Sequence, residues 1–223
     1  MNEFSTAMAL TDFLPVILFA VAAVIMQRDF YDRMPKYAFA CFAAGCMNAF
    51  LAGFLKALWK LLYALNICDF QLLNTMFLPV QSIGLMLMGF GLILMLCRRH
   101  AALAVAPPVF AGTFVFIAMM VLGLGAMCAC LGVIAARMKK KKLLIVLGVI
   151  FLCYMTMGYL ASREGNSAVM NWVEQGINTL GQALLLFSVV KLHRGLREQA
   201  AEEIPVSAPA EPAVESAVEP AAE

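Results

Sequence analysis

Residues 37–65 read YAFACFAAGCMNAFLAGFLKALWKLLYAL, a run whose only charged side chains are Lys56 and Lys60. A transmembrane helix needs about 20 predominantly apolar residues, so this stretch is long enough to cross a membrane. Its apolar residues are continuous rather than alternating, and they are rich in Leu, Ala and Phe, which indicates a helix rather than a strand. The stretch therefore predicts a membrane-spanning helix.

The whole chain has the same character. Hydrophobic residues make up 63% of it and charged residues 13%, whereas soluble domains have about 45–50% and about 25%. We therefore predict an all-α, multi-pass transmembrane helical bundle. Its charges are segregated, with Lys and Arg in short loops and acidic residues in the tail. We therefore expect membrane lipid as a partner and no nucleic acid. Five spans are evident, at approximately 8–26, 37–60, 73–97, 143–161 and 169–191.

The stretch from Ala101 to Met138 has two interpretations: one long helix, or two short helices that reverse near Gly123–Gly125. Cytoplasmic loops are enriched in Lys and Arg. With two short helices, all the strong basic clusters fall on one side of the membrane; they are Arg28 with Arg33 and Lys36, Arg98 with Arg99, Arg137 with Lys139–Lys142, and Lys191 with Arg194 and Arg197. This favours seven helices, with the N-terminus outside and the C-terminus cytoplasmic, and leaves six helices as the alternative.

A weak internal similarity agrees with seven helices. Gly53-Phe54-Leu55 in the second span is echoed by Gly158-Tyr159-Leu160 in the sixth. The pattern is typical of two three-helix units joined by a linking helix, a 3+1+3 arrangement found in some small transporters. The first apolar run lacks a basic leader, so it is interpreted as a retained helix rather than a signal peptide.

Residues 1–197 are predicted to form the membrane domain and residues 198–223 a disordered acidic tail, because the tail contains mainly Pro, Ala and Glu. The compact size and short loops suggest a bacterial plasma (inner) membrane. No cofactor or metal is expected, since the seven cysteines are scattered through apolar segments without a CxxC motif.

Polar side chains inside the spans are the candidate functional residues, because a charge in hydrocarbon costs at least about 2.5 kcal/mol. One helical stripe, at offsets 0, 3, 4, 7 and 11, lies in the last span. In the seven-helix topology it shares a leaflet with polar groups of the second and third spans. The candidate ligand-binding or gating residues are Lys56, Lys60, Gln81, Asn171, Glu174, Gln175, Asn178 and Gln182. Asp12 is interpreted as a cap at the outer end of the first helix.

A contact between Lys56 or Lys60 and Glu174 would leave one positive charge in surplus, which predicts a small anionic ligand. We therefore expect a small transporter or ligand-binding membrane protein with an outer-leaflet site between the second, third and seventh helices. The alternative is a non-catalytic sensor, assembly factor or accessory subunit in which the amides only hold helices together. A homo-oligomer is compatible with either. No nucleophile–base pair is evident, so a membrane-embedded enzyme is the least favoured class.

Overall fold

The computed structural model describes residues 5–97, 113–161 and 168–202, and all regular secondary structure in these ranges is α-helical. The helices are, in chain order, α1 (Thr6–Thr11), α2 (Phe13–Phe30), α3 (Lys36–Ala64), α4 (Leu72–Thr75), α5 (Phe77–Cys97), α6 (Thr113–Arg137), α7 (Lys142–Ala161) and α8 (Ala168–Glu202). The predicted all-α class is confirmed for the described residues.

Four described segments are long and apolar enough to cross a membrane: Thr6–Phe30, Lys36–Ala64, Leu72–Cys97 and Phe114–Arg137. Helix α7 is apolar over a shorter described length, and α8 carries a stripe of amides and charges that lowers its hydropathy. Large apolar side chains cover the outer surface of the bundle, as lipid contact requires; examples are Val24, Leu122, Ile145, Leu152 and Phe187. These features support a membrane location.

The six longest described helices form a closed ring. Helix α2 packs against α3, α3 against α5, α5 against α6, α6 against α7, α7 against α8, and α8 returns to α2. The short helices α1 and α4 pack beside α3. A ring of this kind encloses an interior that side chains must fill, or leave open as a cavity.

Helices α2 and α8 run in the same direction. Near their beginnings, the Gln175 side chain donates a hydrogen bond to the Thr11 carbonyl oxygen at 2.6 Å. Near their ends, His193 Nδ1 lies 2.6 Å from Asp29 Oδ1. The first contact joins the beginnings of the two helices and the second joins their ends, so the helices are parallel.

Helix α3 runs in the opposite direction, since Lys60 near its end forms an ion pair with Asp12 at the beginning of α2. These contacts define two ends of the bundle. The Asp12 end contains Asp12, Lys60 and the first turns of α8. The basic end contains the residues Arg28, Lys36, Arg137, Lys140 and Lys191.

Helices α5 and α6 are neighbours that run parallel to each other. The late residue Gly91 of α5 packs against Ala38 at the beginning of α3, so α5 ends at the basic end. Just after α6, Lys140 donates a hydrogen bond to the Lys191 carbonyl oxygen, so α6 also ends at the basic end. Both helices therefore begin at the Asp12 end.

The parallel directions of α5 and α6 place the end of α5 and the beginning of α6 far apart. Cys97 and the beginning of α6 at Thr113 lie at opposite ends of the bundle, and residues 98–112, which join them, lie outside the described residues. The described chain also begins at the Asp12 end, with Ser5, and finishes at the basic end, with Glu202.

The predicted reversal near Gly123–Gly125 is wrong, because α6 continues through these residues without a break. Gly123 serves close packing instead of a turn. A Cβ atom added there would lie 2.5 Å from the Leu85 carbonyl carbon and from the Met86 nitrogen. Small residues allow helix backbones to approach this closely in membranes, where no hydrophobic force drives helices together. The two short helices expected from this stretch are therefore one helix in the described residues.

Helix α8 continues to Glu202, past residue 198, where the tail is predicted to begin. Lys140 lies 3.5 Å from Glu198, which ties this extension to the turn between α6 and α7. The rest of the predicted tail, residues 203–223, lies outside the described residues.

Candidate functional site

A cavity of about 600 Å³ lies inside the ring of helices. Its walls come from α2, α3, α5, α6, α7 and α8, together with Asp12 at the α1–α2 junction. Of the eight candidate residues predicted from sequence, it brings together these seven: Lys56, Lys60, Gln81, Glu174, Gln175, Asn178 and Gln182. Its volume is within the usual range for small-molecule sites, about 300–1,000 Å³.

The cavity occupies only the half of the ring nearest the Asp12 end. On α6 it is lined by Ile117, Met120 and Val121, whereas Leu124 and Leu131, further along, are fully buried core residues. The other helices of the ring also line the cavity near the Asp12 end and contribute buried core residues nearer the basic end. On α8, for example, lining residues end at Gln182, and buried apolar residues follow from Leu185 onward. The packed apolar core therefore closes the cavity toward the basic end.

The charged mouth of the cavity contains a buried ion pair that sequence reasoning missed. Lys60 Nζ lies 2.6 Å from Asp12 Oδ2, and the Asp12 side chain is only 8% exposed. Asp12 is therefore not a simple helix cap, and its side chain makes no capping hydrogen bond to α2. The available signal was its position, since Asp12 interrupts the first apolar run three residues before Pro15.

The expected ion pair between a lysine and Glu174 is absent among the described residues. Lys56 Nζ instead lies 4.2 Å from the centre of the Phe77 ring, in a cation–π contact. Glu174 Oε1 is buried and has no hydrogen-bond partner among the described residues. Lys56 and Glu174 nevertheless line the same cavity. The six-helix alternative predicts that Glu174 lies in the opposite leaflet from the two lysines, whereas in the structure all three residues lie near the Asp12 end.

Gln175 has a structural role that follows from Pro15. In a continuous helix the Thr11 carbonyl would accept from the N–H of residue 15, but proline has no N–H. The Gln175 side chain supplies the missing donor, at 2.6 Å from the Thr11 oxygen. A buried carbonyl without a partner would cost about 1–3 kcal/mol, so this hydrogen bond fixes α8 against the α1–α2 junction.

The inner part of the amide stripe also links helices. Gln182 donates a hydrogen bond to the Tyr154 hydroxyl of α7. The interpretation of the stripe as interhelical hydrogen bonding thus applies to Gln175 and Gln182. Asn178, between them, lines the cavity, and Asn171 does not. Asn171 is buried, and its side-chain nitrogen has no hydrogen-bond partner within the described ranges.

Several side chains of the cavity wall carry buried oxygen atoms. Four of its lining side chains carry a buried oxygen that has no hydrogen-bond partner in the described part of the chain: Asp12 Oδ1, Gln81 Oε1, Glu174 Oε1 and Gln182 Oε1. Such buried polar atoms are rare in folded proteins, because each loses its hydration without compensation. The four oxygens belong to side chains of the cavity wall, but the atoms themselves are closed to a water molecule in this conformation.

The charge of the cavity differs from the expected one. Among the described lining residues, Lys56 and Lys60 are matched in number by Asp12 and Glu174, so the formal charges balance. The positive surplus from which the anionic ligand was predicted does not occur among the described lining residues, and the anionic ligand stays a prediction. The four charges are nevertheless paired unequally. Lys60 and Asp12 form an ion pair, whereas Lys56 and Glu174 make no ion pair with a described residue.

No cluster of three metal-ligating side chains occurs in the ranges that the structure describes. The comparisons with known proteins add no assignment: no family model, no curated protein and no solved structure matches this chain.

Proposed function

We propose that this chain is a multi-pass membrane protein that binds a small solute in the cavity at the Asp12 end. One observation carries the proposal: a cavity of about 600 Å³, walled mostly by apolar side chains, is also lined by Lys56 and Glu174, two charged side chains that make no ion pair with a described residue. Small-molecule sites combine apolar walls with a few placed polar groups in this way. Transport is the form of this function that we favour, with Glu174 as the ionisable group of the site.

The arrangement of helices supports seven crossings of the membrane rather than six. The consecutive described spans α5 and α6 both run from the Asp12 end to the basic end, whereas a six-span count requires them to run in opposite directions. All the described basic clusters then lie at one end, as the positive-inside rule expects of the cytoplasmic side. We therefore propose that the cavity faces the outside, in the plasma membrane of a bacterium.

Transport would require a second conformation. The cavity is closed toward the basic end by buried residues that include Leu124, Leu131 and Leu185. A solute could thus reach the site from one side in this state, and a rearrangement of the ring would have to open the other side. Discontinuous or kinked helices are common where membrane proteins bind solutes, and the α1–α2 junction at Asp12 is such a place.

Filling the cavity is expected to abolish solute binding. A panel of metabolites is screened by thermal shift on the purified protein, and a solute present at about 100 times its Kd is expected to raise Tm by roughly 5–10 °C. Val121→Trp, which places an indole in the cavity, should lose this shift. Val115→Trp, on an exposed part of the same helix, should keep it. A panel without any stabilising solute, or a full shift in Val121→Trp, would contradict the proposal.

A further inference from the structure

We infer that the solute is a zwitterion with an apolar body, such as an amino acid with a large apolar side chain, whose ammonium group binds Glu174 and whose anionic group binds Lys56. This inference rests on the proposed function and names the ligand class of the same cavity.

The ammonium group is inferred from the acceptors. Asp12 and Glu174 both line the cavity, and their carboxylates accept hydrogen bonds and cannot donate them when ionised. The amides of Gln81 and Gln182 can be rotated to exchange oxygen for nitrogen, so the argument depends on the two carboxylates alone. Asp12 already has Lys60, whereas Glu174 has no cationic partner among the described residues. A positively charged hydrogen-bond donor of the ligand is therefore expected to bind at Glu174 rather than at Asp12.

The anionic group is inferred from Lys56. Its ammonium lies against the Phe77 ring and makes no ion pair with a described residue. A cation–π contact leaves the other N–H groups of the ammonium available, because the ring occupies one side of it. An anionic ligand group could therefore bind Lys56 without displacing Phe77.

Charge balance selects a zwitterion over a singly charged ligand. The four charged side chains among the described lining residues sum to zero, so a lone cation or a lone anion would introduce an uncompensated charge into a low-dielectric site. A zwitterion satisfies Glu174 and Lys56 together and adds no net charge. The deeper walls, which include Phe19, Phe50 and Met155, are apolar and fit an apolar body.

Ligands that share one body and differ in charge test this inference. Tryptophan, tryptamine and indole-3-propionate have the same indole, and leucine, isopentylamine and 4-methylpentanoate have the same alkyl group. Each set is titrated by thermal shift and by equilibrium binding on the full-length purified protein. At least one zwitterion is expected to bind tenfold or more tightly than both of its singly charged analogues, because each analogue lacks one charged hydrogen bond.

Two variants assign the two groups. Glu174→Gln should reduce binding of the zwitterion to about the level of the carboxylate analogue, and Lys56→Met should reduce it to about the level of the amine. Lys141→Met, which removes an exposed lysine at the basic end, should bind like the unmodified protein. The comparison of ligands in the unmodified protein is decisive even where a variant fails to fold.

The outcomes separate the two proposals. Equal or tighter binding of an amine or a carboxylate would overturn the zwitterion and leave a ligand-binding cavity. A shift from neither set would overturn the zwitterion as well. The proposed function itself would fail only if the wider metabolite panel also gave no shift that Val121→Trp removes.

Discussion

Gly123→Ala is expected to destabilise the bundle by about 3 kcal/mol, at the upper end of the usual cost of overpacking. The added methyl group would lie 2.5 Å from backbone atoms of Leu85 and Met86, and a backbone cannot move aside as a flexible side chain can. For a chain of this size the corresponding decrease in Tm is roughly 6–12 °C. Thermal unfolding in detergent, followed by fluorescence-detected size exclusion, measures it.

Gly148→Ala is the matched control for this prediction. Gly148 also lies inside a long helix, but an added Cβ would meet nothing within 4 Å. Alanine is favoured over glycine in a helix by about 1 kcal/mol, so this variant should be as stable as the original protein or slightly more stable. Equal Tm values for the two variants would show that α5 and α6 do not pack through Gly123.

Lys60→Met is expected to destabilise the protein by on the order of 3 kcal/mol, because it leaves the Asp12 carboxylate buried without its cation. The two side chains are 14% and 8% exposed and lie 2.6 Å apart, so little solvent can replace the lost partner. Removing both charges, in Asp12→Asn with Lys60→Met, should recover most of the stability, since no uncompensated charge remains. Thermal unfolding of the single and double variants measures the difference.

Lys141→Met provides the control for removing a lysine, since Lys141 is exposed at the basic end. It should change Tm by less than the error of the measurement. If Lys60→Met behaved like Lys141→Met, the ion pair at the mouth of the cavity would contribute no stability. If the double variant were as unstable as the single one, the loss would come from packing of the lysine stem rather than from charge.

Sequence reasoning was most successful where the pattern is local to one helix. The stripe on α8 follows from the spacing of Glu174, Asn178 and Gln182, and all three line the cavity. The grouping of these residues with Lys56 and Gln81 depended on helix directions, which the positions of basic clusters indicate. Both inferences use features that a single sequence contains.

Features that depend on contacts between distant residues could not be predicted. Gly123 was interpreted as a turn residue because glycine permits turns, and its use in close helix packing depends on the position of α5. The partner of Lys60 is Asp12 rather than Glu174, which is decided by how α2 and α3 pack. The charge balance among the described lining residues differs from the predicted surplus for that single reason.

The measurement that tests the account most directly is the accessibility of single cysteines at the two ends of the bundle. Cys68 is an exposed native cysteine in the segment after α3, at the Asp12 end, and Lys141 is exposed in the turn between α6 and α7, at the basic end. Two variants retain either Cys68 alone or Lys141→Cys alone, and intact cells are treated with a membrane-impermeant maleimide. We predict labelling of Cys68 in intact cells, and labelling at position 141 only after permeabilisation. Labelling of both positions from the same side, or only of position 141, would contradict a cavity that faces outward opposite a cytoplasmic basic end.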